Sequence, residues 1–359
     1  MSEHTPLRLS TPDELAELLP HLLGYHPDNS IIVAGINTTT GALQGTLRTD
    51  IPADEAHWAF LATDLIATLL ERSAHHGGTV SQVALYICAD PNDPGYGYDS
   101  LLHHAPLAHA LRNAALDHEL RIADLLYTTA THWWSYLTDT EPTREGTPIR
   151  GPHNPGSVTA YAVVEGLPTP RRRADILATL APIDGTKAEQ QHAALDTAVL
   201  ALTDRIHAQG HEAVKEQAVQ HLRATLESLL AGDAATDIDP DLAAQLILTL
   251  HYAPVRDAAY GYVLPDELPI LQNLWRHLAQ RCVPDYRHLA SVPIALFGIN
   301  SWGQDDTATA AVAFHAALEA EPAYGFAQMM LDAINQSVPF DLVKGLFLQH
   351  RASRTTTAS

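Results

Sequence analysis

The chain has 359 residues, 46% hydrophobic and 18% charged, which excludes wholesale disorder and exceeds what one hydrophobic core usually organises. Its 42 acidic residues against 21 basic ones give a formal charge of -21, which disfavours phosphate backbones and anionic membranes as partners. Aromatic residues are sparse at 6% while Ala and Leu abound, so helix is favoured over an all-β architecture.

Taken in chain order, Ser10 or Thr11 caps a first helix. Pro12 suits its first position, and Asp13 and Glu14 complement the positive end of the helix dipole. Leu15, Leu18, Leu19, Leu22 and Leu23 recur at helical spacing, Pro20 marks a kink or stop, and Gly24 fits the C-terminal cap. After the loop Tyr25-His26-Pro27-Asp28-Asn29, the apolar run Ser30 to Ile36 predicts a buried strand, and Leu43 to Ile51 alternates as its hairpin partner. A helix from Pro52 to about His76 leads to a strand over Val80 to Ala89, with Val83, Leu85 and Ile87 on one face. A polar loop from Asp90 to Asp99, a helix over Leu101 to Leu116 and a strand over Leu120 to Thr128 follow.

This alternation predicts an α/β domain: a mixed sheet with an N-terminal hairpin and parallel βαβ units. Trp133-Trp134-Ser135-Tyr136 reads as an edge strand. Val158 to Val164 reads either as a last strand or as a helix turn. From Arg171 the strand signal disappears, and helices are expected at roughly 171–181, 187–208, 211–232, 240–251, 267–282, 285–300, 305–320 and 323–336. The organisation expected is an α/β domain over 1–166, an all-α domain over 167–349 and a disordered tail over 350–359. Arg171, Arg172 and Arg173 are too few for a phosphate-binding patch and read as a solvated helix start.

Two cysteines far apart, Cys88 and Cys282, do not make a disulfide scaffold and point to a reducing, cytoplasmic setting. Met1 to Leu9 lacks the cationic flank and apolar core of a secretory signal, and no run of 18 apolar residues predicts a membrane span.

The segment Leu22 to Val33, reading LLGYHPDNSIIV, and Leu47-Arg48-Thr49-Asp50-Ile51-Pro52 after it resemble the opening signature of the family called domain of unknown function 4192. Trp133-Trp134-Ser135-Tyr136, Gly146-Thr147-Pro148, Val255-Arg256-Asp257-Ala258, Leu274-Trp275-Arg276 and the block from Ala290 to Pro339 extend the resemblance over nearly the whole chain. Gly303-Gln304-Asp305-Asp306 departs from the family's Gly-Asp-Gly-like turn. The resemblance implies a fold and supplies no activity, substrate or site residue.

Chemistry-bearing motifs are thin. Gly95-Tyr96-Gly97 stands between a strand and a helix but lacks the third glycine of a dinucleotide fingerprint, and Asp90, Asp93 and Asp99 would repel a pyrophosphate. A calcium loop starting at Asp90 fails where its bidentate Glu should stand, since that position is Leu101. His75-His76, His103-His104 and His109 lack metalloprotease spacing, and neither a Gly-x-Ser-x-Gly elbow nor a catalytic cysteine signature occurs. No cofactor or metal is implied.

What remains is placement: open α/β sheets bind ligands beyond the carboxyl ends of their strands. That rule gathers Arg48, Asp50, Asp90, Tyr98, Asp99, His132 and Trp133 as one candidate cleft, with the Tyr25, His26 and Asp28 loop as a second candidate. Two functions fit. One is a non-catalytic binding or regulatory protein that takes a small ligand or a protein partner and uses the helical domain for protein contacts. The other is an enzyme, such as a hydrolase, acting on a small substrate through carboxylates near Asp50 and Asp90.

Overall fold

A computed structural model describes residues 11–41, 43–75, 77–93, 95–138, 141–150, 156, 158–160, 170–232, 238–335 and 338–356. The chain divides into two compact units, residues 1–173 with 335–337 and residues 174–334 with 338–359. The first is mixed α/β and the second helical.

The first unit opens on α1 (Pro12–Leu23). Thr11 Oγ1 accepts the Glu14 N–H while the Glu14 carboxylate accepts the Thr11 N–H, so two donors that a helix start leaves open satisfy each other. Pro20 lies inside the helix without ending it, and Gly24 closes it at φ 76. The strands that follow are β1 (Tyr25–His26), β2 (Ser30–Ile36), β3 (Leu43–Asp50), β4 (Gln82–Cys88), β5 (Arg121–Thr128), β6 (His132–Ser135) and β7 (Thr147–Pro148). All except β1 form one sheet, ordered β3-β2-β4-β5-β6-β7.

The hairpin partner β3 and the later strand β4 both run antiparallel to β2, and β5 runs parallel to β4. Strands β3, β4 and β5 therefore share one direction. They are connected by α2 (Trp58–His75) in the first crossover and by α3 (Tyr98–His103) and α4 (Ala105–Asp117) in the second.

Strand alternation sorts the core into two layers. Ile31, Val33, Leu85, Ile87 and Tyr127 meet Trp58, Ile66 and Leu69 of α2 and Leu107 and Leu111 of α4. Ile32, Ala34, Ala84, Tyr86 and Leu126 meet Leu15, Ala16 and Leu19 of α1. The central strands are covered on both faces, as their near-continuous apolar sequences require.

The second unit contains α5 (Arg173–Ala178), which begins at the boundary residue, then α6 (Gly185–Gln209), α7 (His211–Leu230), α8 (Pro240–Thr249), α9 (Ala253–Tyr260) and α10 (Leu268–Arg281). It ends with α11 (Ser291–Trp302), α12 (Thr307–Ala320), α13 (Gly325–Asn335) and α14 (Phe340–Thr356). Its centre is α11, every residue of which is buried, in contact with α10 and α12. Its polar residues Ser291, Asn300 and Ser301 are buried with the rest and hydrogen-bonded, so no side of the helix faces solvent. No helix among the described residues is long and apolar enough to cross a membrane.

Several expectations need correction. Arg171–Arg172 is not a helix start but a short strand, β8, pairing in parallel with β1, and α5 follows it. Main-chain pairing decides this, and an arginine run carries no strand signal. The helix expected from Pro52 opens with a 3-10 turn, Glu55–His57, capped by Asp54, before α2. The helix expected over Leu101–Leu116 is broken at His104, where Pro106 starts α4 afresh. Strand β6 is not an edge, because β7 pairs beyond it. Two helices went unforeseen: α9, and α14, which runs into the tail expected to be disordered. Val158 to Ala160 is helical, and the rest of that ambiguous stretch, 161–164, lies outside the described residues.

The layering predicts a sharp contrast between two apolar positions. Leu85 is fully buried in a central strand, whereas Phe60 is 73% exposed on α2. Leu85→Ala is expected to lower unfolding free energy by about 2–5 kcal/mol in urea denaturation. Phe60→Ala is expected to change it by less than about 0.5 kcal/mol.

Candidate functional site

The sheet register brings four strand ends into a row. Ser30 at the start of β2 pairs with Asp50 on one side and Cys88 on the other, and Cys88 pairs with Thr128. Asn29, just outside, ties the row together: its N–H donates to Ala89 O at 3.2 Å and its carbonyl accepts from Ile51 N at 3.1 Å. It does so at φ 39, a left-handed conformation that asparagine tolerates better than most residues.

On the α1 face of this row lies a buried polar cluster. The Arg48 side chain is only 3% exposed; its Nε donates to Ser30 Oγ at 2.9 Å, and Nη2 is ion-paired with Asp50. The β1–β8 ladder carries Arg173 to Asp28, where Nη1 lies 3.5 Å from the carboxylate. Burial pushes the Asp28 carboxyl above its ordinary value, against the opposing pull of Arg173 and Arg48. Burial likewise pushes up the Tyr25 phenol. It pushes the His26 imidazole down, with Arg172 adding to the effect. Burial also raises the Cys88 thiol to about 12, although Thr128 Oγ1 donates to its sulfur at 3.3 Å, so the thiol stays protonated at neutral pH.

On the other face, a cavity of about 590 Å³ opens beyond the ends of β3 and β4. Ile51, Pro52, Ala53 and Trp58 give it an apolar wall. Asp90, Asn92, Asp93, Asp99, Ser100, His103 and His104 line the rest, with Asn29 and Gly95. The loop after β4 is rigidified by its own side chains: Asp90 Oδ1 accepts the Asn92 N–H at 2.8 Å, and Asp93 Oδ1 accepts the Gly95 N–H at 2.8 Å.

Ser100 Oγ donates to Asp93 Oδ2 at 2.6 Å, and these two bonds hold the Asp93 carboxyl below its usual range. The His104 ring stacks on Trp58 with centroids 5.5 Å apart, and its Nδ1 lies 2.8 Å from the Ser100 carbonyl oxygen. That contact requires Nδ1 to carry the proton, leaving Nε2 as the acceptor. Burial holds the imidazole below its ordinary value and therefore neutral at pH 7.

Asp93, Ser100 and His104 have the composition of a hydrolytic triad but not its order. In a triad the imidazole stands between serine and carboxylate. Here the serine stands between them, with its proton taken by Asp93, and Ser100 is 1% exposed. The trio is a structural pin.

The seven residues expected to share one cleft are distributed over separate places. Asp90 and Asp99 line the 590 Å³ cavity. Arg48 and Asp50 form their ion pair on the opposite face, because alternation along β3 aligns them with Ser30. Tyr98 packs against the core on the α2 and α4 side, under the Arg144 guanidinium. Trp133 donates to Asp13 at 3.1 Å and lines a different cavity of about 380 Å³. His132 is bonded to Thr131 Oγ1 at 2.9 Å.

Trp58, Asp93, Ser100, His103 and His104 were not anticipated as one site. Their available signal was the His-His pair one turn after Ser100 on a helix opening beyond a strand end. Among the described residues, no three His, Cys, Asp or Glu side chains are grouped to hold a metal ion.

The geometry defines an α/β protein with a polar strand-end cavity, joined in the chain to a helical unit. The chain belongs to the family described as domain of unknown function (DUF4192), which matches residues 12–340. No curated protein and no solved structure matches it.

His21, His26, His104 and His251 are all held below the ordinary imidazole value of 6.5 by burial. The unfolded chain then binds protons first as pH falls, so stability is full above about 6.5 and is lost below it. Urea denaturation at pH 7.5 and 5.5 is expected to show this loss, and His104→Gln to reduce its slope. An unchanged slope would place His104 outside the effect.

Proposed function

We propose that the protein is a non-catalytic binding protein whose α/β unit takes a small polar ligand in the cavity beyond β3 and β4. The observation that carries this reading is the cavity: about 590 Å³, with an apolar wall facing convergent polar groups. That volume falls in the range of small-molecule sites, with a lining more polar than most, and the position follows the strand-end rule for open α/β sheets.

Binding is favoured over chemistry because the reactive-looking groups are already committed. The Ser100 hydroxyl serves Asp93, His104 Nδ1 serves a main-chain carbonyl, and the Cys88 thiol is buried and protonated. The hydrolase reading needs Asp50 and Asp90 in one pocket, whereas Asp50 is engaged with Arg48 and does not line the cavity.

A role for the helical unit in protein contacts draws on Leu342 and Leu346. They stand one turn apart on α14 and are 65% and 66% exposed. A cytoplasmic setting fits two buried, unpaired cysteines. Nucleic acid is disfavoured as a partner by the charge of -21.

A thermal-shift screen of small polar metabolites tests the reading. At least one compound is expected to raise Tm of the native protein, by roughly 2–4 °C per kcal/mol of linkage. Ala53→Trp, which places an indole at the cavity wall, is expected to abolish that rise. Equal responses from both proteins across the screen would contradict the proposal.

A further inference from the structure

The charge of the cavity is one-sided. Three carboxylates line it, Asp90, Asp93 and Asp99, and no Lys or Arg does. His103 turns its Nε2 towards a further carboxylate, Glu55, at 3.7 Å. His104 is held neutral by burial, and its Nδ1 proton is directed at Ser100 O, which leaves Nε2 as an acceptor.

The carboxylates differ in how far the protein already uses them. Asp93 is spent on Gly95 and Ser100. Asp90 gives Oδ1 to Asn92 and keeps Oδ2. Asp99 is exposed and makes no hydrogen bond or ion pair among the described residues. The fixed charges lining this concave space are therefore all negative, which favours a cation over an anion there.

Resting on the binding reading above, we propose that the ligand class is a small organic amine, bound as its ammonium form through Asp90 and Asp99 with its carbon skeleton against Ile51, Pro52 and Trp58. The ammonium N–H groups supply the donors that the uncommitted carboxylate oxygens lack, and charge-assisted bonds of this kind are stronger than neutral ones. The apolar wall distinguishes this ligand from an inorganic cation, which would leave that wall unused. The absence of a metal-type grouping among the described residues points the same way. An anionic ligand would meet carboxylates without a compensating cation.

Isothermal titration of the full chain with spermidine at 150 mM NaCl tests the class. Magnesium chloride and citrate serve as competing inorganic-cation and anion probes. Asp99→Asn and Asp90→Asn are near-isosteric, and Ala53 is an exposed position, so folded variants can be verified by circular dichroism. Spermidine is expected to bind at one site, about tenfold more weakly in each Asn variant and not at all in Ala53→Trp.

Citrate is expected not to bind and magnesium not to displace spermidine. Diffuse, multi-site spermidine binding that Asp99→Asn leaves unchanged would overturn the amine proposal, because it would report only the overall negative charge. Equal binding of magnesium at the same site would overturn it as well. If a neutral or anionic metabolite binds instead and Ala53→Trp blocks it, the ligand class fails while the binding reading stands. If nothing binds that Ala53→Trp blocks, both fail.

Discussion

Strand β2 is paired along its whole length on both sides, with β3 from Ser30↔Asp50 and with β4 from Ser30↔Cys88. Everything that gives the α/β unit a site follows from this double pairing. Because side chains alternate, a slip of one residue would send Ile31, Val33, Leu85 and Ile87 to the wrong layer, so the register is strongly specified. The same register levels the strand ends and leaves the connections after β3 and β4 on one edge. Those connections supply Ile51 to Ala53 on one wall of the cavity and Asp90, Asn92, Asp93 and Gly95 on the other.

The polar cluster on the α1 face illustrates a cost that this packing imposes. Removing the Arg48 charge from water is expensive, and attraction to Asp50, whose side chain is 47% exposed, only partly offsets it. Arg48 is almost fully buried against Ser30 and Asp50, while Asp28 is lifted towards its neutral form despite two nearby guanidinium groups. Such a cluster is poor evidence for stability. It does fix geometry: Arg173 reaches Asp28 only because Arg171 and Arg172 add a strand to Tyr25 and His26.

Much of the architecture was legible in the sequence where pattern and burial agree. Ser30 to Ile36 reads as a buried strand and is β2, and Thr11, Pro12, Glu14 and Gly24 mark α1 at both ends. Legibility failed where pairing partners lie far away in the chain. Arg171–Arg172 is a strand only because β1 is there to meet it. Helix α11 blurs into its neighbourhood for the opposite reason, since a segment buried on every side shows no periodicity.

The site was half legible. Asp90 and Asp99 follow from the strand-end rule, whereas Arg48, Asp50 and Trp133 were assigned to the same crevice by sequence proximity to strand ends, without regard to which face each would occupy. His103 and His104 lack metalloprotease spacing and so carry no metal-site signal in the sequence. Their role at the cavity depends on Trp58, brought beside them from a separate helix, and linear spacing does not encode that packing.

The register of β2 against β4 decides where the strand ends and the cavity lie, and cysteine cross-linking reads that register directly. The native thiol of Cys88 lies across the ladder from Ser30, while Ile32 lies across from Tyr86. Refolded from denaturant in a glutathione redox couple, where both thiols are accessible as the strands pair, Ser30→Cys should form a disulfide with Cys88, seen by mass spectrometry of the intact, non-reduced chain, and Ile32→Cys should not. A disulfide from Ile32→Cys with none from Ser30→Cys would contradict the register, and with it the placement of the cavity.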